Sequence, residues 1–240
     1  MRIIVTTCDR YIEAILPLAH LLKKYWIGHP PVLVGGYTPP DFPLPDNFTF
    51  HSIGKQEDYP IGKWSDGLIK FFNEIDDEAF VFLLEDMWPV RQVNAQAIKM
   101  LYDYCIQFRN VARMDLTDDR LHSGGVDKDY GNCGHLKLVK SSRDSEYFSS
   151  MMPGIWRRSH FLRLLVPNES PWDIEIKGTP RLRRMTDVDV LGCHELPYKC
   201  TLAFRGGDSG KLAMEIPYKP DPADIIEMSA LGLLAPWEES

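Results

Sequence analysis

A chain of 240 residues with 44% hydrophobic and 25% charged side chains has an ordinary globular composition and enough length for one packed α/β core. Its formal net charge of −7 argues against indiscriminate binding of nucleic acid. The cysteines Cys8, Cys105, Cys133, Cys193 and Cys200 are odd in number and form no CxxC pair, which points to reduced thiols rather than a disulfide-stapled fold.

In chain order, Ile3-Ile4-Val5 predicts a short buried strand. Residues 11–25 place Ile12, Ile15, Leu16, Ala19 and Leu22 at helical spacing, with Pro17 interrupting the first turn. Val32-Leu33-Val34 predicts a second strand, and Gly35-Gly36 a turn after it. A proline-rich loop over 38–45 leads to a third strand from Phe48 to Ile53. Residues 65–75 predict a helix with Ser65 as N-cap and Leu68, Ile69, Phe72 and Ile75 on one face. Ala79 to Leu84 is the most apolar strand of the chain and runs directly into Glu85-Asp86. A helix over 93–107 and a strand from Val111 to Leu116 complete an alternation that predicts a mainly parallel sheet with helices on both faces.

That rhythm stops after Leu116, and residues 117–150 yield no assignable element. A helix over 158–165, a loop from Pro167 to Pro180, short strands near 197–205 and a loosely packed tail with a helix over 223–232 are expected beyond them. The N-terminal apolar run is too short for the core of a signal peptide, and no stretch approaches the ~20 apolar residues of a membrane span. The expected location is cytoplasmic, the host cytoplasm for a viral chain, with peripheral attachment to a membrane left open. Charge is uneven: residues 137–184 hold ten Lys or Arg against five Asp or Glu. A basic stretch of this kind suits an anionic ligand, or is a solvated face.

The strongest chemical signal is Phe80-Val-Phe-Leu-Leu-Glu-Asp-Met-Trp-Pro89. Ligands of open α/β sheets bind beyond the carboxyl ends of the strands. Two acids there are costly to bury unless a cation, a sugar hydroxyl or main-chain donors engage them. The other reading is a strand end whose acids pair with nearby Lys or Arg. A second constellation is Met151-Met-Pro-Gly-Ile-Trp-Arg-Arg158, continuing through Phe161–Leu165 to Pro171-Trp-Asp-Ile-Glu175. The pairs Cys133 with His135 and Cys193 with His194 have the spacing of no common structural zinc site. A P-loop, a Gly-x-Ser-x-Gly elbow and a GxGxxG fingerprint are all missing from the sequence.

On the segments 80–89 and 151–175 the chain resembles nucleotide-sugar glycosyltransferases of the GT-A fold class, in their bacterial or viral polysaccharide-type branch. The resemblance implies one GT-A-like, Rossmann-like domain over 1–240. Residues 1–116 would form the nucleotide-sugar donor half, 117–205 the acceptor half, and 206–240 a C-terminal loop and tail. The usual Asp-x-Asp stands here as Glu85-Asp86-Met87-Trp88, without its second aspartate. The resemblance implies Asp86 as ligand of Mn²⁺ or Mg²⁺ on the donor diphosphate or as acceptor from a sugar hydroxyl, with Glu85 and Trp88 beside it. Thr7, Asp9 and Arg10 would cradle base and ribose, although Asp9 is equally a helix cap. Asp66 would face the donor at a helix start, Arg157 would neutralise the leaving diphosphate, and Trp172 would border the site.

The implied chemistry is transfer of a hexose from a nucleotide sugar, UDP-linked by preference, to a hydroxyl by inverting displacement. Glu175 is the first candidate for the base and Asp173 the second. A saccharide acceptor is expected. Alternatives are a hydroxymethylated base of viral duplex DNA, and a non-catalytic protein that binds a nucleotide or sugar. His194 reads also as a late metal ligand, and Gly206–Gly210 as a loop closing over donor.

Overall fold

Alternation of side chains along the first strands sets the layers of the molecule. The computed structural model describes residues 1–204, 211–214 and 217–238. Strands β1 (Ile3–Thr6), β2 (Val32–Gly36), β3 (Phe48–Ser52) and β4 (Ala79–Leu84) lie side by side and parallel, in the order β3-β2-β1-β4. Ile3, Val5, Val32, Val34, Val81 and Leu83 point to one core. Ile4, Leu33, Phe80 and Phe82 point to the other, as the two-residue period of a strand requires. Helices α1 (Ile15–Tyr25) and α3 (Ala95–Gln107) cover the first face; α2 (Trp64–Glu74) covers the second.

Beyond β4 the order continues β9-β6-β10-β8-β7, with β5 (Met87–Pro89) leaving the main sheet to pair with β11 (Cys200–Leu202). The strands concerned are β6 (Val111–Asp115), β7 (Lys128–Cys133), β8 (Leu136–Lys140), β9 (Gly154–Arg157) and β10 (Asp189–Cys193). Only β8 and β9 run against the common direction of the main sheet. The remaining helices are α4 (Asp119–His122), α5 (Arg158–Leu164), α6 (Pro171–Ile176), α7 (Gly178–Arg184), α8 (Pro222–Ala230) and α9 (Ala235–Glu238). The expected α/β sheet with helices on both faces is thus present, parallel in its first half and mixed in its second.

Several local expectations are corrected. The helix over 11–25 is a 3-10 turn, Asp9–Ala14, and then α1; Pro17 sits in the first turn of α1, where its missing N–H has no partner to lose. Gly35 and Gly36 belong to β2 rather than to a turn. A Cβ on Gly35 would lie 3.0 Å from the Phe71 ring and one on Gly36 2.9 Å from Phe50, so large rings above the strand demand bare backbone. Ser65 does not cap α2; its hydroxyl accepts from the Glu169 amide at 3.0 Å. Residues 117–150 hold α4 and the β7–β8 hairpin, and Gly154–Arg157 before α5 is strand β9. The loop 167–180 is largely α6 and α7. Ser170, Pro171 and Asp173 supply the capping box and first-turn proline that start α6.

The C-terminal part is packed rather than loose. Met228 and Leu234 are buried, and Asp224 takes Lys24 Nζ at 2.6 Å and the Tyr25 hydroxyl at 2.6 Å, which fastens α8 to α1. Among the described residues no helix is long and apolar enough to cross a membrane.

Candidate active site

The carboxyl ends of β1 and β4 open into a cavity of about 410 Å³, within the usual range for small-molecule sites. Thr6, Thr7 and Cys8 come from β1 and its exit, and Leu84, Glu85 and Asp86 from the exit of β4. Ile61 and Trp64 come from the entry to α2, Met151 and Met152 from the approach to β9, Pro171, Trp172 and Glu175 from α6, and Leu202 and Phe204 from β11 and its exit. Tyr11 stacks on Phe204 at 4.8 Å in the same wall.

Glu85 and Asp86 occupy the turn between β4 and β5, fixed through its main chain. The Trp88 indole donates to the Glu85 carbonyl at 2.9 Å, the Ala203 amide to the Asp86 carbonyl at 2.8 Å, and the Tyr198 hydroxyl to the Met87 carbonyl at 2.9 Å. Burial, and then the charge of Asp86, pushes the Glu85 carboxyl well above its ordinary value. Burial also pushes Asp86 up to about 6, against the pull of main-chain amides including that of Phe204. Thr6, at the end of the neighbouring strand, has a buried hydroxyl without a hydrogen-bond partner among the described residues.

Glu175 reaches the cavity from α6. Its carboxylate accepts the Met151 amide at 2.7 Å, while burial and, more weakly, Asp119 raise its proton affinity. The segment carrying Met151 is itself pinned. Ser149 donates to the Ile174 carbonyl at 3.0 Å, Ser150 to Asp119 at 2.6 Å, and Arg113 to the Met152 carbonyl at 3.0 Å. A half-buried carboxylate with one main-chain donor and raised proton affinity is equipped to take a proton.

Thr7, Glu85, Asp86, Trp172 and Glu175 are therefore gathered in one cavity; the other sequence candidates lie outside its lining. Trp88 is fully buried, supporting the turn from the core side instead of touching a ligand. Arg157 lies opposite Ala79 because β9 runs antiparallel to β4, which puts it at the far end of the sheet. There its guanidinium binds Glu78 and the carbonyls of Cys105 and Ile106, so it cannot meet a diphosphate at the end of β4. Asp173 is committed to the capping box and to Lys177 at 2.8 Å, and those partners hold its carboxyl down to about 2, too weak a base for the role assigned. Asp66 accepts the Asn168 amide at 2.7 Å, and Asp9 accepts the amide and hydroxyl of Thr38, both at 2.8 Å. Arg10 is exposed beside the Tyr11 ring.

Several arginines of the basic stretch 137–184 are half-buried and engaged with the protein's own carbonyls and acids. Arg143 donates to the carbonyls of Arg183, Met185 and Val188, Arg183 to those of Asp144 and Ser145, and Arg181 forks onto Glu169 at 2.7 and 2.6 Å. These arginines staple loops. Cys8 borders the cavity, but burial raises its thiol to about 11, leaving it protonated and a poor nucleophile. His194 is exposed and outside the cavity, and Gly206–Gly210 fall outside the described residues. Sequence reading did not place Tyr11 or Phe204 at the site, nor the Ser149–Ser150 part of the brace, because their places depend on partners far along the chain.

No family model matches the chain, and no curated protein matches it by sequence. Among solved structures it is similar to residues 1–349 of TarS from S. aureus, at 13% identity and a TM-score of 0.51, covering 96% of this chain and 63% of that one. It is similar also to the same TarS fragment in complex with UDP-GlcNAc, at 13% identity and a TM-score of 0.51, covering 82% of this chain and 56% of that one. The chain thus spans less than two thirds of the length of either. More distantly, at a TM-score of 0.41 and 14% identity, it is similar to a CMP:2-keto-3-deoxy-manno-octonic acid synthetase complexed with CTP, covering 98% of this chain and 99% of that one. The fold is GT-A-like, as the sequence resemblance implied.

Proposed function

We propose that this protein transfers a hexose from a nucleotide sugar, UDP-linked by preference, to an acceptor hydroxyl, with Glu175 as general base. The observation that carries this reading is the meeting of Glu85, Asp86 and Glu175 in one cavity at the carboxyl ends of β1 and β4. In the inverting displacement the acceptor oxygen bonds to the anomeric carbon while the bond from that carbon to the diphosphate oxygen breaks. The hydroxyl proton passes to Glu175, and the electron pair leaves with the diphosphate. The five free thiols suit a reducing, cytoplasmic setting.

A divalent cation fits the donor side. None of the described residues lining the cavity is basic, so an anionic diphosphate there needs positive charge from elsewhere. Glu85 and Asp86 would hold Mn²⁺ or Mg²⁺ as a pair of oxygen ligands. Among the described residues no three His, Cys, Asp or Glu side chains cluster, so water and phosphate oxygens would complete the shell, as is usual for Mg²⁺. The ion would neutralise charge developing on the leaving diphosphate.

The test is release of nucleotide from UDP-, GDP-, TDP- and CMP-sugars, with soluble saccharides present and Mn²⁺ added or chelated. Turnover of one donor family, lost with chelator and in Asp86→Asn, is expected. No turnover of any donor under any of these conditions would overturn the reading.

A further inference from the structure

Six tryptophans occur in the chain, and five of them, Trp26, Trp64, Trp88, Trp156 and Trp237, are no more than 8% exposed. Trp172 is 53% exposed, and it lies in the wall of the cavity that contains Glu175. Ile61, from the entry to α2, borders the same cavity and is 59% exposed. Ile176, four residues after Trp172 and hence on the same side of α6, is 62% exposed. Two large apolar side chains left in water at the rim of a site, with a third exposed one helical turn beyond, are the usual mark of a surface awaiting a ligand.

Helix α6 is also unusually well anchored for six residues. Its start is tied to α2 by Asp66 to the Asn168 amide and by Ser65 to the Glu169 amide. Its own capping box, the Ser149 hydroxyl on the Ile174 carbonyl and the Glu175–Met151 bond fix the rest. Trp172 therefore projects from a rigid support, one helical turn from Glu175, instead of from a loop that happens to be exposed. The chemistry of the ligand follows from the walls. Glu85, Asp86 and Glu175 are all acidic and no described lining residue is basic, so an acceptor bearing phosphate or carboxylate is disfavoured. An uncharged polyol ring has an apolar C–H face, whose hydrogens complement the negative face of an indole, and an edge of hydroxyls for carboxylates.

We infer that Trp172, flanked by Ile61 and Ile176, is an acceptor platform that stacks on one face of an uncharged pyranose and presents one of its hydroxyls to Glu175. This rests on the transfer reading above. The hydroxyl so presented gives its proton to Glu175 as its oxygen bonds to the anomeric carbon of the donor sugar, and the nucleotide diphosphate departs. Trp172 itself exchanges no proton; it selects the ring and sets its tilt.

Saturation-transfer NMR on the full chain tests this without needing turnover. The probes are methyl α- and β-glucoside, galactoside and N-acetylglucosaminide, cellobiose and chitobiose, with glucose 6-phosphate as the anionic comparison. At least one uncharged sugar is expected to receive saturation on the C–H protons of one ring face. Its affinity should fall about 3- to 10-fold in Trp172→Ala, the equivalent of one stacking contact, and recover in Trp172→Phe. Circular dichroism of both variants verifies that they are folded, as expected for a half-exposed residue. The inference is overturned if no uncharged pyranose binds, if binding is indifferent to Trp172→Ala in the folded variant, or if glucose 6-phosphate binds better. Thermal shifts by UDP-sugars on the same samples separate the two levels. Pyranose binding at Trp172 without donor binding would remove the transfer reading and leave a saccharide site. Donor binding without pyranose binding would remove the platform and leave the transferase.

Discussion

The Glu85–Asp86 turn and helix α6 deliver acids to one cavity by opposite means. The turn is the end of a single buried strand, so its carboxylates arrive there by local sequence alone and are held by bonds to their main chain. Helix α6 arrives through distant partners in α2 and in the 149–152 segment. Within α6 the contrast repeats at short range. Asp173 accepts from the amide and hydroxyl of Ser170 and pairs with Lys177, and is held down to about 2. Glu175, two residues on, has one amide donor and is raised by burial. Residue type and position along a motif do not separate a cap from a base; burial, and the donors already facing each carboxylate, do.

The largest expected effect sharpens that inner contrast. Glu175→Gln should lower the transfer rate by about 10²–10⁴, the usual contribution of a general base, while Asp173→Asn changes it far less. Equal losses in the two variants, measured as initial rates at saturating donor, would erase the distinction. Next, Trp88→Phe keeps one aromatic ring but removes the fused ring that carries the N–H bonded to the Glu85 carbonyl. Leaving that buried acceptor unpaired should cost about 1–3 kcal/mol, read from the urea midpoint, and weaken donor more than acceptor binding. Ser170→Ala should cost about 1 kcal/mol through loss of the α6 cap, with the rate falling because Glu175 shifts. A rate unchanged by Ser170→Ala would mean that the brace from Ser149 and Met151 suffices without the cap.

The smallest effect concerns pH and the donor-side turn. Asp86 has its value raised from 3.8 to about 6 in the folded chain, so between those values the native state retains a proton that the unfolded state has released. Its contribution to stability should therefore fall as pH rises from 3.8 to about 6 and level off above, since stability declines with pH wherever the native state binds more protons. Glu85, raised by burial and by Asp86, adds to the same slope. Asp86→Asn should flatten it, as measured by urea unfolding across that window. A wild-type slope no different from that of Asp86→Asn would show that Asp86 is not strained by burial.

How much of this was legible in sequence follows from the same contrast. β1 to β4, α3 and the acids at the end of β4 announce themselves through local apolar runs and period. The Gly35-Gly36 strand was hidden because its cause is the rings of Phe71 and Phe50, one of them 36 residues away. β9 was hidden because its place between β4 and β6 depends on pairing across some 70 residues on one side and 40 on the other. α6 did carry a legible signal, Ser170-Pro-Trp-Asp173, a capping box with proline at the first helical position. A loop over 167–180 overlooks that signal; Glu175 lines the cavity in the folded chain. Arg157 was misplaced because sequence order does not reveal that its strand runs backwards.

The most direct measurement is a thermal-shift titration of UDP-, GDP-, TDP- and CMP-sugars, each with and without Mn²⁺, on the wild type, Asp86→Ala and Glu175→Gln. Ligand at about 100 times its Kd stabilises the native state by about 2.7 kcal/mol, enough to move the midpoint measurably. One nucleotide family should raise the melting temperature of the wild type and of Glu175→Gln, and leave Asp86→Ala unmoved. No shift with any donor at millimolar concentration, or a full shift in Asp86→Ala, would contradict a donor site at the end of β4.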